Sequence, residues 1–81
     1  MLVLMTLSKK RDDNTIEYLY GSDRDKLDGM FVINPVDISL STIDKLPSDD
    51  SVTRGYAIKA LCKLTRKISE GDIPQELIFA S

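Results

Sequence analysis

Between Gly21 and Gly29 the chain reads GSDRDKLDG, placing Asp23, Asp25 and Asp28 within six positions. Carboxylates at that density are the raw material of a hard-cation site. A helix–loop–helix calcium loop needs oxygen ligands at its first, third and fifth positions, glycine at the sixth and glutamate at the twelfth. Counted from Asp23, the third position is Asp25, but the fifth is Leu27, the sixth Asp28 and the twelfth Asn34. The register fails, and the flanking YLY and MFVI are strand-like where that motif requires helices. The spacing therefore predicts a hairpin loop. Glycines at its ends allow unusual backbone angles, Leu27 anchors it, and Arg24 and Lys26 offset its acids. No metal site and no cofactor are expected.

A second set of chemically capable residues is basic. From Ser51 to Ser69 there are five cations and no acid, although the chain as a whole carries a net charge of −2. Lys59, Lys63, Arg66 and Lys67 stand four, seven and eight positions from the first, so on a helix they form one ridge. Such a ridge neutralises phosphates or acidic partners, and it makes a small nucleic-acid-associated protein the alternative reading. The acidic balance, the lack of a helix-turn-helix pair and the lack of interleaved aromatics weigh against it. A solvated helix face is the ordinary use of such residues.

Enzymatic groups are scarce. The chain has no His, no Gly-rich phosphate loop and one Cys, Cys62, set in an apolar stretch where a structural thiol is the common case. Asp12 with Asp13, and Asp49 with Asp50, occupy turn and cap contexts. Tyr18 and Tyr20 share one strand face and suit cross-strand packing better than an exposed platform. These features predict a non-enzymatic protein. The single cysteine points to a reducing, cytoplasmic compartment. The leading MLVLMTL is too short to span a membrane, and KKR follows it where a signal peptide would place basic residues first.

The elements that must position these residues fit one domain, residues 1–81, of the α+β class. Strands are predicted at Met1–Leu7, Thr15–Tyr20 and Met30–Ile33, with a fourth, half-exposed one at Val36–Ser41. A long helix follows from the PSDDS cap, by Ser48 or Asp50, to about Ser69, with Gly71 as its left-handed stop. Its stripe of Tyr56, Ala57, Ala60, Leu61, Leu64 and Ile68 faces the sheet. Gly55 marks either a loose first turn or a close backbone approach. A short edge strand, ELIFAS, ends the chain. The expected fold is thus a small antiparallel meander of three to four strands packed on one long helix, with a short C-terminal strand.

Both faces of the first and third strands are apolar. Leu2 and Leu4 oppose Val3, Met5 and Leu7, while Met30 and Val32 oppose Phe31 and Ile33. A sheet with one wetted side alternates apolar with polar, so these strands read as covered twice. One helix covers one face. The other needs the segment Val36–Leu46 folded across it or a second copy of the chain. These considerations predict an interaction or assembly module acting as a homodimer, with Val3, Met5, Phe31, Ile33 and the flanking helix residues Ile58 and Cys62 as its partner face.

Overall fold

A computed structural model describes residues 2–80. Four strands run in sequence: β1 (Leu2–Lys10), β2 (Ile16–Gly21), β3 (Gly29–Ile33) and β4 (Thr42–Lys45). A helix, α1 (Ser51–Ser69), then carries the chain across to β5 (Glu76–Ala80). All neighbours are antiparallel, in the order β4–β3–β2–β1–β5. The α+β architecture, the meander, the single helix and the C-terminal edge strand are all present. The helix joins the two outer strands, so it must cross the sheet, and it covers one face as it does so. No helix among the described residues is long and apolar enough to cross a membrane.

Helix α1 begins and ends as its sequence dictates. Asp50 accepts the Thr53 amide at 2.7 Å, and the Ser48 hydroxyl donates to the same carboxylate at 2.6 Å. The cap satisfies an amide that the first turn leaves without a partner. At the far end Gly71 has φ +90°, the Gly71 amide donates to Ile68 O and the Asp72 amide to Lys67 O. This is the paired closure that a glycine in the left-handed region permits. Ala57, Ala60, Leu64 and Ile68 are buried, with Tyr56 and Leu61 half-buried beside them, so the expected stripe is the packed one.

The sheet contributes Val3 and Met5 from β1, Ile16, Tyr18 and Tyr20 from β2, and Phe31 and Ile33 from β3 to the same core. Tyr20 and Phe31 stack at 3.9 Å between ring centroids, nearly parallel. Gly29, the register partner of Tyr20, makes room for that ring; a Cβ at this position would run into it. Each buried tyrosine hydroxyl donates to a backbone carbonyl, Tyr18 to Pro74 at 2.5 Å and Tyr20 to Lys45 at 2.7 Å. Pro74 follows the helix and Lys45 precedes it, so the central strand ties down both ends of the β4–α1–β5 connection.

Two local expectations are corrected. The alternating stretch Val36–Ser41 is a turn containing a 3₁₀ segment at Ile38–Leu40, and the strand begins only at Thr42. Side chains set that turn: Asn34 accepts the Val36 and Asp37 amides at 3.0 Å each, and Asp37 accepts the Ser39 amide and hydroxyl. Local acceptors of this kind outcompete a strand ladder. Strand β1 also runs three residues further than expected, to Lys10, with a register shift between Leu7 and Lys9.

Three stability outcomes follow. Burial raises the Tyr18 and Tyr20 phenols from the ordinary 10 to about 12. Their folded values exceed the unfolded one, so this contribution is intact below pH 10 and is lost as pH rises towards about 12. An alkaline melting series should show that loss, and Tyr18→Phe and Tyr20→Phe should flatten it. At neutral pH each of those variants should cost about 1 kcal/mol by chemical denaturation. Gly55→Ala should stabilise the chain by roughly 0.8 kcal/mol, because nothing lies within 4 Å of a Cβ placed there and the site is helical.

Candidate interaction surface

Strand alternation sends the residues that flank the core positions to the face opposite α1. Leu2 and Leu4 of β1, Leu19 of β2, Met30 and Val32 of β3, and Ile78 of β5 therefore share an open face, joined by the register pairs Leu4↔Ile78 and Leu19↔Met30. Leu2 and Ile78 remain 44% and 48% exposed, and the others are half-buried. Thr6, paired with both Leu19 and Glu76, interrupts the apolar surface. Beside it a groove of about 210 Å³ is lined by Leu4, Thr6, Arg24, Leu27, Glu76 and Ile78. The β2–β3 loop thus leans over one end of this face.

At the other end the face is closed by an ion pair. Glu17, the one buried charged residue among those described, accepts from Arg11 Nη2 at 2.8 Å and Nε at 3.2 Å, both on Oε1. Arg11 Nη2 also lies 3.8 Å from Met30 Sδ, which lays the guanidinium along the apolar surface. The Arg11 hydrogen bonds hold the Glu17 carboxyl below its usual range against the opposing effect of desolvation, with Ser8 and Lys9 adding to the depression.

This geometry reverses part of the expected partner face. Val3, Met5, Phe31 and Ile33 lie against α1 in the core, with exposures of 5% or less. The partner assignment of these four residues is therefore corrected: the uncovered face is the one bearing Leu2, Leu4, Leu19, Met30, Val32 and Ile78. Both faces of β1 and β3 are apolar, so their residues alone do not say which side meets the helix. Strand β2 holds the deciding signal, with Ile16, Tyr18 and Tyr20 on one side and Thr15, Glu17 and Leu19 on the other. Ile58 and Cys62 are exposed, but on α1, across the molecule from the open face. They are not brought together with it.

The segment Val36–Leu46 does not cover the open face either. Ile38, Ile43 and Leu46 pack against the helix-side core, β4 lengthens the sheet, and Val36 and Leu40 point to solvent. Of the basic ridge, Lys59, Arg66 and Lys67 are exposed. Lys63 is half-buried and donates to Ile78 O at 2.7 Å, so it is tied to β5. Lys63 thus differs from the other three members of the ridge, which project to solvent.

The acidic loop forms the tip of the β2–β3 hairpin. Asp23 accepts the Asp25 amide through its side chain and the Lys26 amide through its carbonyl. Among the described residues no group of three potential metal ligands converges.

Because the Glu17 carboxyl is depressed in the folded state, its contribution to stability is present above the ordinary carboxylate range and is lost as pH falls through its folded value. Acid denaturation of Glu17→Gln should therefore show a shallower decline of midpoint with falling pH than the parent chain. No family model, curated protein or solved structure matches the chain.

Proposed function

We propose that this protein is a non-enzymatic assembly module that acts as a homodimer, two copies meeting through the sheet face opposite α1. The observation that carries this reading is the apolar open face, which neither the single helix nor the segment Val36–Leu46 covers. A second copy brings an identical apolar surface, and two-fold symmetry buries both at once. The face carries charges of both signs in register, with Glu76 at the β5 end and Lys45 at the β4 end of the row through Thr6, Leu19 and Met30. Such a patch is compatible with itself. A strongly basic or acidic partner is not favoured by it.

Five strands about 4.8 Å apart and about five residues long give a plan area of roughly 400 Å². That is at the small end against the roughly 800 Å² per partner of a standard interface, so a dimer with a dissociation constant of roughly micromolar order or weaker is expected. Cys62, an exposed free thiol, suits a reducing compartment and supports a cytoplasmic location. The nucleic-acid reading rests on Lys59, Arg66 and Lys67, since Lys63 is engaged with β5. No aromatic side chain is interleaved with them.

Sedimentation velocity across about 1 µM to 1 mM tests the dimer. The parent should pass from monomer to dimer over that range. Leu19→Lys, at the middle of the open face, should weaken association at least about a hundredfold, because two charges would be buried per dimer. A parent that stays monomeric throughout defeats the proposal. Salt-sensitive binding of a labelled duplex at submicromolar concentration, abolished by Lys59→Glu with Lys67→Glu, would replace it with the nucleic-acid reading.

A further inference from the structure

Strand β5 is an outer strand with β1 as its one neighbour. Its sequence, ELIFA, is apolar and β-prone, with one charge and no proline. That composition favours pairing with another copy of itself. The direction of its peptide groups follows from one bond. Gln75 O accepts the Leu7 amide at 2.9 Å, so the peptide groups of Gln75 point at β1. Alternation along an antiparallel strand then turns Leu77 and Phe79 towards β1, and Glu76, Ile78 and Ala80 outward. The outward amide and carbonyl of Ile78 sit at the centre of a bare edge, the ordinary template for adding a strand.

Lys63 meets that carbonyl. Its ammonium donates to Ile78 O at 2.7 Å, reaching from α1 over the rim of the sheet. Lys59 and Lys67 lie one turn to either side of it on the same helix flank. The opposite edge has a different protection: β4 is only four residues long, is irregular beside Met30, and carries Asp44 and Lys45.

We infer that Lys63 is the guard of the β5 edge, and that the surface it closes is a latent strand-pairing site for the β5 of a second copy. A two-fold axis through Ile78 would set Ile78 against the partner's Ile78 and Leu77 against the partner's Phe79. It would also bring two Lys63 ammonium groups to one seam, where each takes an acceptor the incoming amide needs and repels the other. The backbone edge is distinct from the open face, although the Ile78 side chain belongs to that face, and the guarding of the edge does not depend on the dimer proposed above.

The test is Lys63→Ala, measured beside the parent and Lys63→Arg by sedimentation and by hydrogen–deuterium exchange. Lys63→Ala should self-associate about tenfold more tightly than the parent, or better, with exchange newly slowed at Glu76–Ala80. Lys63→Arg, which keeps a charged donor, should behave as the parent. Against Ile78→Pro alone as reference, which also carries any change on the open face, adding Lys63→Ala should bring no gain and no slowed exchange at Glu76–Ala80, because the outward Ile78 amide is gone while the β1 ladder is spared. An unchanged distribution for Lys63→Ala overturns the inference, as does a gain without slowed exchange on β5. A monomeric parent with an associating Lys63→Ala removes the open-face dimer and keeps the guard. A dimeric parent indifferent to Lys63→Ala does the reverse.

Discussion

Two buried phenol hydroxyls on one central strand organise this fold. A tyrosine ring carries a large apolar area into the core, but its hydroxyl must find an acceptor there or lose the hydrogen bonds it had with water. Tyr18 and Tyr20 find theirs in the carbonyls of Pro74 and Lys45, at the two ends of the long connection that carries α1 from one sheet edge to the other. The helix is therefore held by its apolar stripe against the sheet and by its flanking backbone against β2. Tyr20 stacks on Phe31 beneath it, with Gly29 leaving space for the ring.

Seating the helix on one side leaves the chain with a two-faced sheet and a one-sided cover. The open side is not simply wet: Leu4, Leu19, Met30 and Val32 are half-buried, a loop leans over one end, and Arg11 with Glu17 closes the other. A buried carboxylate costs desolvation unless it is paired and hydrogen-bonded, and Arg11 supplies both. The pair also lays a long side chain over Met30, so a charge serves as partial cover for apolar surface. At the two sheet edges, Lys63 is bonded to the Ile78 carbonyl of β5, and β4 is short and carries Asp44 and Lys45. On the proposed reading, self-association would be steered towards the open face and away from the rims.

Much of the architecture could be read from the chain. The helix stands where its cap, periodicity and stop glycine place it, because those signals are local and agree with one another. The acidic loop is the hairpin tip that its failed calcium register implied. The alternation at Val36–Ser41 predicts a strand where a turn forms, because a period-two pattern of side chains says nothing about backbone acceptors, and Asn34 and Asp37 capture the amides a ladder would use. Which side of the sheet meets the helix is hidden on β1 and β3 for a related reason. Val3, Met5, Phe31 and Ile33 are as apolar as the residues behind them, and only the polar positions on β2 break the tie.

By itself, the amino-acid sequence determined the class of fold, the extent of the helix and the excess of apolar sheet surface. Each of these depends on neighbours within a few residues, or on composition. The tertiary structure alone decided which face the helix takes, where Tyr18 and Tyr20 find their acceptors, and that Lys63 reaches Ile78. Those contacts join residues 15 to 56 positions apart. Their partners are backbone carbonyls, which every residue has and which only the folded path of the chain brings within reach.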